Sequence, residues 1–120
     1  MKKRVSEVKR EKKKSFLLHE LSELIRALGE DDSRVKSIFV TKVELSKSGG
    51  ICYVFFSSYD SDFDPKETLE ILKLYKPSVR TAISKIMKSR YIPDIRFVHD
   101  KTKEKERKIY ELLDKISREN

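Results

Sequence analysis

The chain has 120 residues, enough for one domain with a modest core and too few for two independent ones. Twenty-eight lysines and arginines against twenty acidic residues give a formal net charge of +8, which favours a polyanionic partner such as nucleic acid. A single cysteine, Cys52, excludes an intrachain disulfide and a cysteine-based metal site, and it is typical of a reducing cytoplasm.

A basic arm and a helix are the first predicted elements. Residues 1–14 are too charged to bury much apolar surface, so they form either a disordered tail or an extension of the helix behind them. Apolar residues then recur at helical spacing, and Gly29 is placed to end the helix as its C-cap. This apolar stripe consists of Leu17, Leu18, Leu21, Leu24, Ile25 and Leu28.

A β-hairpin is predicted next. The β-branched segment 38–45 and the apolar segment 51–56 are typical of strands, and residues 46–50 supply the turn between them. We interpret Tyr53 and Phe55 in the second strand as core residues, because aromatic side chains bury large apolar areas. The alternative is that their rings stack on unpaired bases, as in the aromatic strand of an RRM domain, which this segment partly resembles.

The start of the next helix is marked by a capping pattern. Aspartates at every second position from Asp60 to Asp64 suggest a calcium loop, but Pro65 and Ile71 stand where that loop needs glycine and glutamate. We therefore expect no metal site. Asp64 instead serves as N-cap, Pro65 takes the first helical position and Glu67 completes a capping box.

Pro77 interrupts this helix, because proline lacks a backbone donor and clashes with the preceding turn. We therefore predict two short helices, of which the second has an apolar face and a basic face. No acidic residue occurs between Lys76 and Pro93, so the positive charge is one-sided and suited to RNA phosphates. The predicted RNA-binding residues are Lys76, Arg80, Lys85, Lys88 and Arg90.

A third strand over residues 95–98 and a last amphipathic helix complete the chain. The helix is indicated by Ile109, Leu112, Leu113 and Ile116. The order α-β-β-α-α-β-α predicts an α+β, two-layer domain over residues 15–116, with helices on one face of a three-stranded sheet and a tail over 117–120. No export signal or membrane span is expected, because no apolar run approaches about 18 residues.

The first six elements follow the order of a KH domain of the second topology, although its GxxG clamp is absent. Four strings of the sequence are more specific: Val40-Thr-Lys-Val-Glu-Leu-Ser46, Tyr53-Val-Phe-Phe56, Val79-Arg80 and Arg90-Tyr-Ile-Pro-Asp-Ile-Arg-Phe-Val-His-Asp100. Through them the sequence resembles the ribosome-binding factor A family over about residues 17–113. In that family a helix kink made of a small residue, any residue and glycine replaces the clamp. Tyr75, Lys76 and Pro77 occupy these kink positions here.

This resemblance implies a KH-like type II fold and a non-enzymatic assembly factor. Such a factor binds the small ribosomal subunit and its rRNA late in maturation, near the decoding region, assists rRNA 5′-end processing and supports growth in the cold. We expect a cytoplasmic monomer with no cofactor, no small-molecule substrate and no membrane partner.

Two alternatives stay open. One is a general single-stranded RNA-binding protein of KH or RRM type. The other is an RNA-processing enzyme that depends on His99 or a loop aspartate, although neither His19 nor His99 has the spacing of a metal or triad site.

Overall fold

The computed structural model describes residues 5–87 and 91–119. Its elements confirm the predicted α+β class and the order of strands and helices, except that two predicted helices are one. The elements are α1 (Val5–Asp31), a short 3-10 turn (Ser33–Val35), β1 (Ile38–Leu45), β2 (Ile51–Ser58), α2 (Pro65–Ile86), β3 (Asp94–His99) and α3 (Thr102–Glu119).

The sheet has the order β1-β2-β3, with β2 in the centre. β1 and β2 form the predicted antiparallel hairpin, and β3 runs parallel to β2, which requires the crossover that α2 provides. A bulge at Thr41 shifts the register between Val40 and Lys42. α1 and α2 both pack against one face of this sheet, whose central strand is paired on both sides.

The core lies between this sheet face and the two helices. Strand residues alternate, so every second side chain of β2 points into the core, beginning with Cys52. Burial raises the pKa of the Cys52 thiol to about 11, as fits a small hydrophobe. The core residues of the sheet and of the two helices are Ile38, Val43, Leu45, Cys52, Val54, Phe56, Ile95, Phe97, Leu17, Leu21, Ile25, Ile71, Leu72, Val79 and Ile83.

The same alternation places Tyr53 and Phe55 on the opposite side of the sheet. Both side chains are partly exposed and neither belongs to the core cluster. Our interpretation of them as core residues is therefore wrong, because Cys52, Val54 and Phe56 occupy the core side. We call the side away from α1 and α2 the outer face. It consists of Lys42, Glu44, Tyr53, Phe55, Arg96 and Val98.

The start of α1 follows one of the two alternatives for the basic arm, whereas its end differs from the prediction. Of the two alternatives for the basic arm, residues 5–14 adopt the helical one; residues 1–4 lie outside the described residues. Gly29 does not cap α1, which continues to Asp31. Its role is close approach, because a Cβ at Gly29 would lie 3.0 Å from the Cα atom of Lys36 and 3.1 Å from the carbonyl oxygen of Val35.

The two short helices predicted around Pro77 are a single helix of 22 residues, so that prediction is wrong. Asp64 begins it as predicted, accepting hydrogen bonds from the backbone N–H groups of Lys66 and Glu67 at 3.0 and 3.3 Å. Proline inside a helix costs about 3 kcal/mol. The buried side chains of Leu72 and Val79 on either side offset this cost. A bend at Pro77 stays a prediction.

α3 is amphipathic as predicted, but its apolar stripe is not covered. Ile109 and Leu113 are 57% and 55% exposed, and every α3 side chain that the structure describes is exposed. The helix continues beyond Ile116 to Glu119, so residues 117–119 are helical. Within residues 5–87 and 91–119, no helix combines the length and the apolar character that crossing a bilayer requires.

Candidate nucleic-acid interface

The second half of α2 presents two exposed cations to solvent. Arg80 and Lys85 lie on either side of Thr81 and Ser84, and all four side chains are exposed. Thr81 lines two adjacent shallow grooves, one shared with Lys85 and the other with Arg80 and Ser84. We call Arg80, Thr81, Ser84 and Lys85 the α2 basic face.

The two hydroxyl groups of this face donate hydrogen bonds to backbone carbonyls of the same helix. Thr81 Oγ1 donates to the carbonyl of Pro77 at 3.0 Å, and Ser84 Oγ donates to the carbonyl of Thr81 at 2.7 Å. With their donors engaged in this way, these oxygens are placed to accept hydrogen bonds from a ligand, for example from a ribose 2′-hydroxyl. The donors that a phosphate needs must come from Arg80 and Lys85.

Lys76 forms an ion pair with another residue of the domain. Its Nζ lies 2.9 Å from Oδ1 of Asp94, at the start of β3, and both side chains are partly exposed. The hydrogen bond from Lys76 lowers the pKa of the Asp94 carboxyl, and the charge of Arg80 contributes in the same direction. An RNA phosphate would therefore have to compete with Asp94 for Lys76.

Tyr75 anchors the same turn of α2 to the segment that directly follows α1. Its hydroxyl donates to Oδ2 of Asp32 at 2.6 Å, and Arg34 donates to the same carboxylate at 2.7 Å. The hydrogen bonds from Arg34 and Tyr75 hold the pKa of Asp32 well below its usual range, and the bond to Asp32 raises the pKa of Tyr75. The two residues before Pro77 thus fix α2 against the end of α1 and the start of β3.

The structure therefore brings together part of the predicted site. Arg80 and Lys85 border the exposed strip of Thr81 and Ser84 from its two sides, about 140° apart around the helix axis. Lys76 lies one turn before Arg80 in an ion pair. Lys88 and Arg90 lie outside the described residues. The anchors at Asp32 and Asp94 were not predicted, because neither carboxylate is a local neighbour in sequence of the α2 residue that it binds.

Comparison with known proteins decides the family. The model of the ribosome-binding factor A family matches residues 9–113. The chain belongs to this family. The prediction made from the four sequence strings is confirmed, and the match extends further toward the N-terminus than the strings do.

Named relatives cover most of the chain. Ribosome-binding factor A from Brevibacillus brevis is 38% identical over 116 residues, covering 97% of this chain and 91% of its own. The protein of the same name from Thermotoga petrophila is 37% identical over 105 residues, with 84% and 80% covered. Matches over such lengths place the whole described domain within the family.

Solved structures of ribosome-binding factor A share the fold. The crystal structure from Thermus thermophilus superimposes with a TM-score of 0.67 at 23% identity, covering 75% of this chain and 93% of its own. The solution structure of a putative ribosome-binding factor A from Thermotoga maritima gives 0.60 at 30% identity, covering 75% and 89%. The predicted KH-like α+β fold is confirmed.

The longest family string, residues 90–100, is mostly structural. Pro93 is buried, and Ile95 and Phe97 lie in the core. At the end of the string, Asp100 accepts hydrogen bonds from the Thr41 hydroxyl at 2.6 Å and the Thr102 backbone N–H at 2.9 Å. Its first residue, Arg90, lies outside the described residues. The string therefore identifies the family through groups that hold β3 in place.

His99 has a packing role in the described structure. Its ring lies 5.3 Å from that of Phe63 and 5.8 Å from that of Phe56, measured between centroids. Its Nε2 lies 3.6 Å from a carboxylate oxygen of Glu104. Among the described side chains, no group of three histidines, cysteines or carboxylates is placed to hold a metal ion.

The basic arm contains anchoring residues that the sequence analysis did not predict. Arg10 donates to the backbone carbonyls of Leu45 and Ser46 at 2.6 and 2.8 Å, and so ties α1 to the hairpin turn. Lys14 forms an ion pair with Glu44 at 3.1 Å. Two of the cations of this arm are therefore structural.

Proposed function

We propose that the protein is an assembly factor of the small ribosomal subunit that binds its rRNA through the α2 basic face. Membership of the ribosome-binding factor A family is the observation that carries this proposal. Coordinates of the Thermus thermophilus family member, 24% identical to this chain, were fitted into a map of a 30S–RbfA complex. By analogy, the 30S particle is the binding partner proposed for this chain.

The α2 basic face is the proposed site because it combines exposure, one-sided charge and a fixed position. Arg80 and Lys85 are exposed in a stretch from Lys76 to Pro93 that has no acidic residue. The anchors of Tyr75 and Lys76 hold this half of α2 in one orientation. A rigid cationic surface loses little conformational entropy on binding a folded polyanion. Lys88 and Arg90 are proposed to extend the site.

The proposed mechanism is binding without catalysis. A factor that prefers one folding state of the maturing rRNA stabilises that state by its differential affinity, and it leaves when the site changes. Assistance to rRNA 5′-end processing and support of growth in the cold are proposed consequences of this preference. We propose that the protein acts as a monomer in the cytoplasm, without a cofactor.

Binding to purified small subunits should depend strongly on salt. If four to five cations contact phosphates, log affinity falls against log salt concentration with a slope of about −3 to −5. Sedimentation of the protein with mature and immature subunits at two or more salt concentrations measures both slope and preference. A slope near zero, or equal affinity for the two particles, would argue against the proposed function. A general single-stranded RNA binder would instead bind short oligonucleotides as tightly as subunits.

Asp94→Asn should strengthen subunit binding, because it removes a carboxylate that competes with phosphate for Lys76. We expect about threefold tighter binding and a salt slope steeper by about 1. Asp62→Asn, which removes the same charge from the exposed loop before α2, is the matched control and should change affinity far less. Weaker binding of Asp94→Asn would mean that the ion pair acts as an anchor only and that Lys76 contacts no phosphate.

A further inference from the structure

The outer face carries aromatic residues on its central strand. β-sheet pairing places Glu44 and Arg96 on either side of Tyr53, and Lys42 and Val98 on either side of Phe55. α1 and α2 cover the other side of the sheet, and every described α3 side chain is exposed. Both rings are partly exposed, so this part of the described chain presents an uncovered aromatic surface.

The two rings are spaced for separate ligands. Tyr53 and Phe55 are two residues apart on one strand, a distance of about 7 Å, which leaves room for one planar group at each ring. Lys42 Nζ lies over the face of the Phe55 ring, 4.5 Å from its centroid, in a cation–π contact. This exposed lysine can move aside at low cost when another planar group stacks on the ring.

A third aromatic group extends this surface toward β1. Phe39 pairs with Ser57, which by strand alternation lies on the same side as Phe55. The Phe39 and Tyr59 rings are stacked with centroids 4.3 Å apart, and Tyr59 is 79% exposed. An exposed tyrosine supported from beneath by a second ring is a rigid platform for a further planar ligand.

The charges of the outer face favour an anionic ligand. Its carboxylate, Glu44, is paired with Lys14, and Asp94 at the neighbouring strand start is held by Lys76 and lies 3.7 Å from Arg96. The charge of Lys42 lowers the pKa of one further carboxyl, that of Asp100, which already accepts hydrogen bonds from Thr41 and Thr102. Aromatic rings interleaved with cations are the composition that binds unpaired nucleotides, whose bases stack while their phosphates pair with lysine and arginine.

We propose that the outer face is a second RNA-binding site, with Tyr53 and Phe55 stacking on unpaired bases and Lys42 and Arg96 contacting phosphates. This inference deepens the proposed function and rests on it for the source of the RNA, an unpaired rRNA segment of the small subunit. Because the α2 basic face and the outer face lie on opposite layers of the domain, one molecule can hold two rRNA segments at once.

The test compares an RNA that has bases with one that has none. The probes are a labelled 12-nucleotide oligouridine and an abasic ribose-phosphate strand of equal length and charge, with affinity measured by fluorescence anisotropy. Wild-type protein should bind oligouridine about tenfold more tightly than the abasic strand. The double variant Tyr53→Leu, Phe55→Leu should lose this difference while it keeps an apolar surface. Tyr53→Phe with Phe55→Tyr keeps both rings and should retain the difference within about twofold.

Further measurements separate this inference from the proposed function. Oligouridine should shift the backbone amide NMR signals of Lys42, Tyr53, Phe55 and Arg96. The double variant Arg80→Glu, Lys85→Glu should keep the preference for bases while it loses subunit binding. If the leucine variant discriminates like the wild type, or the shifts fall only in α2, the outer-face site is overturned and the proposed function stands. Dimerisation through this face, seen as a doubled mass in sedimentation equilibrium that the leucine variant abolishes, would also overturn it.

Discussion

Replacing Arg80 and Lys85 together by glutamate is expected to weaken binding to purified small subunits by about 100-fold at moderate salt. Each reversal removes a phosphate partner and places a carboxylate where the phosphate would lie, so attraction becomes repulsion. Both side chains are exposed on α2, and neither forms an ion pair within the described part of the chain. The domain should therefore stay folded, with an unchanged circular dichroism spectrum. Sedimentation binding at several salt concentrations measures the effect.

The matched control is Lys36→Glu with Lys66→Glu. These lysines are exposed away from the α2 basic face, and the double variant changes the net charge by the same amount. We expect it to bind subunits within about threefold of wild type, since only the long-range field changes. Equal losses in the two double variants would show that net charge alone attracts the protein, and no loss in either would move the site elsewhere.

Neutralisation gives a finer measure of the same site. Arg80→Gln with Lys85→Gln should reduce the magnitude of the salt slope by about 2, because each variant side chain leaves one phosphate without its cation. An unchanged slope with lower affinity would mean that these side chains bind groups other than phosphates.

Periodicity in the sequence predicted most of the fold, and failed where a pattern was uniform. β1 has the predicted bounds, because Val43 and Leu45 alternate with polar residues. β2 begins with six consecutive apolar residues, so its sequence does not show whether the odd-numbered or the even-numbered side chains face the core. The assignment of Tyr53 and Phe55 to the core was wrong for this reason. Only pairing with β1 and β3 on both sides determines that parity.

The error at Pro77 has a different cause. The rule that proline ends a helix is local, and it was applied without the tertiary contacts that hold α2 together. Leu72 and Val79 pack into one core across the proline, and Tyr75 and Lys76 are anchored immediately before it. Contacts to residues as distant as Asp32 leave no signature in the local sequence, so these anchors could not be predicted.

One part of the candidate site could be predicted from the sequence and another part could not. The exposure of Arg80 and Lys85 could be predicted, because the basic side of an amphipathic helix is visible in the sequence, and their contact with RNA stays a prediction. The engagement of Lys76 by Asp94 could not, although Asp94 belongs to the family string. The string indicated the family correctly, but its carboxylates hold the fold, so a strong motif here indicates structure more than RNA contact.

Asp100, the last carboxylate of the family string, makes the stability of the domain depend on pH. Burial raises the pKa of Asp100, but hydrogen bonds from Thr41 and Thr102 outweigh this and leave the pKa at about 2. The pKa of an unfolded aspartate is about 3.9. Ionised Asp100 therefore stabilises the fold above about pH 4, and this contribution is lost as pH falls toward 2. After allowance for solvent screening we expect it to be about 1 to 2 kcal/mol at neutral pH.

Asp100→Asn isolates this contribution. The free energy of unfolding, measured by urea titration with circular dichroism, should be about 1 to 2 kcal/mol lower than that of wild type at pH 7 and nearly equal at pH 2. Thr41→Val should reduce the same difference, because its hydroxyl donates the shortest hydrogen bond to Asp100. Asp114→Asn breaks only an exposed pair with Arg118 within α3 and should change stability by less than about 0.5 kcal/mol. If the free energy of unfolding of Asp100→Asn is lower than that of wild type by the same amount at pH 7 and pH 2, the shape of the Asp100 side chain, and not its charge, stabilises the fold.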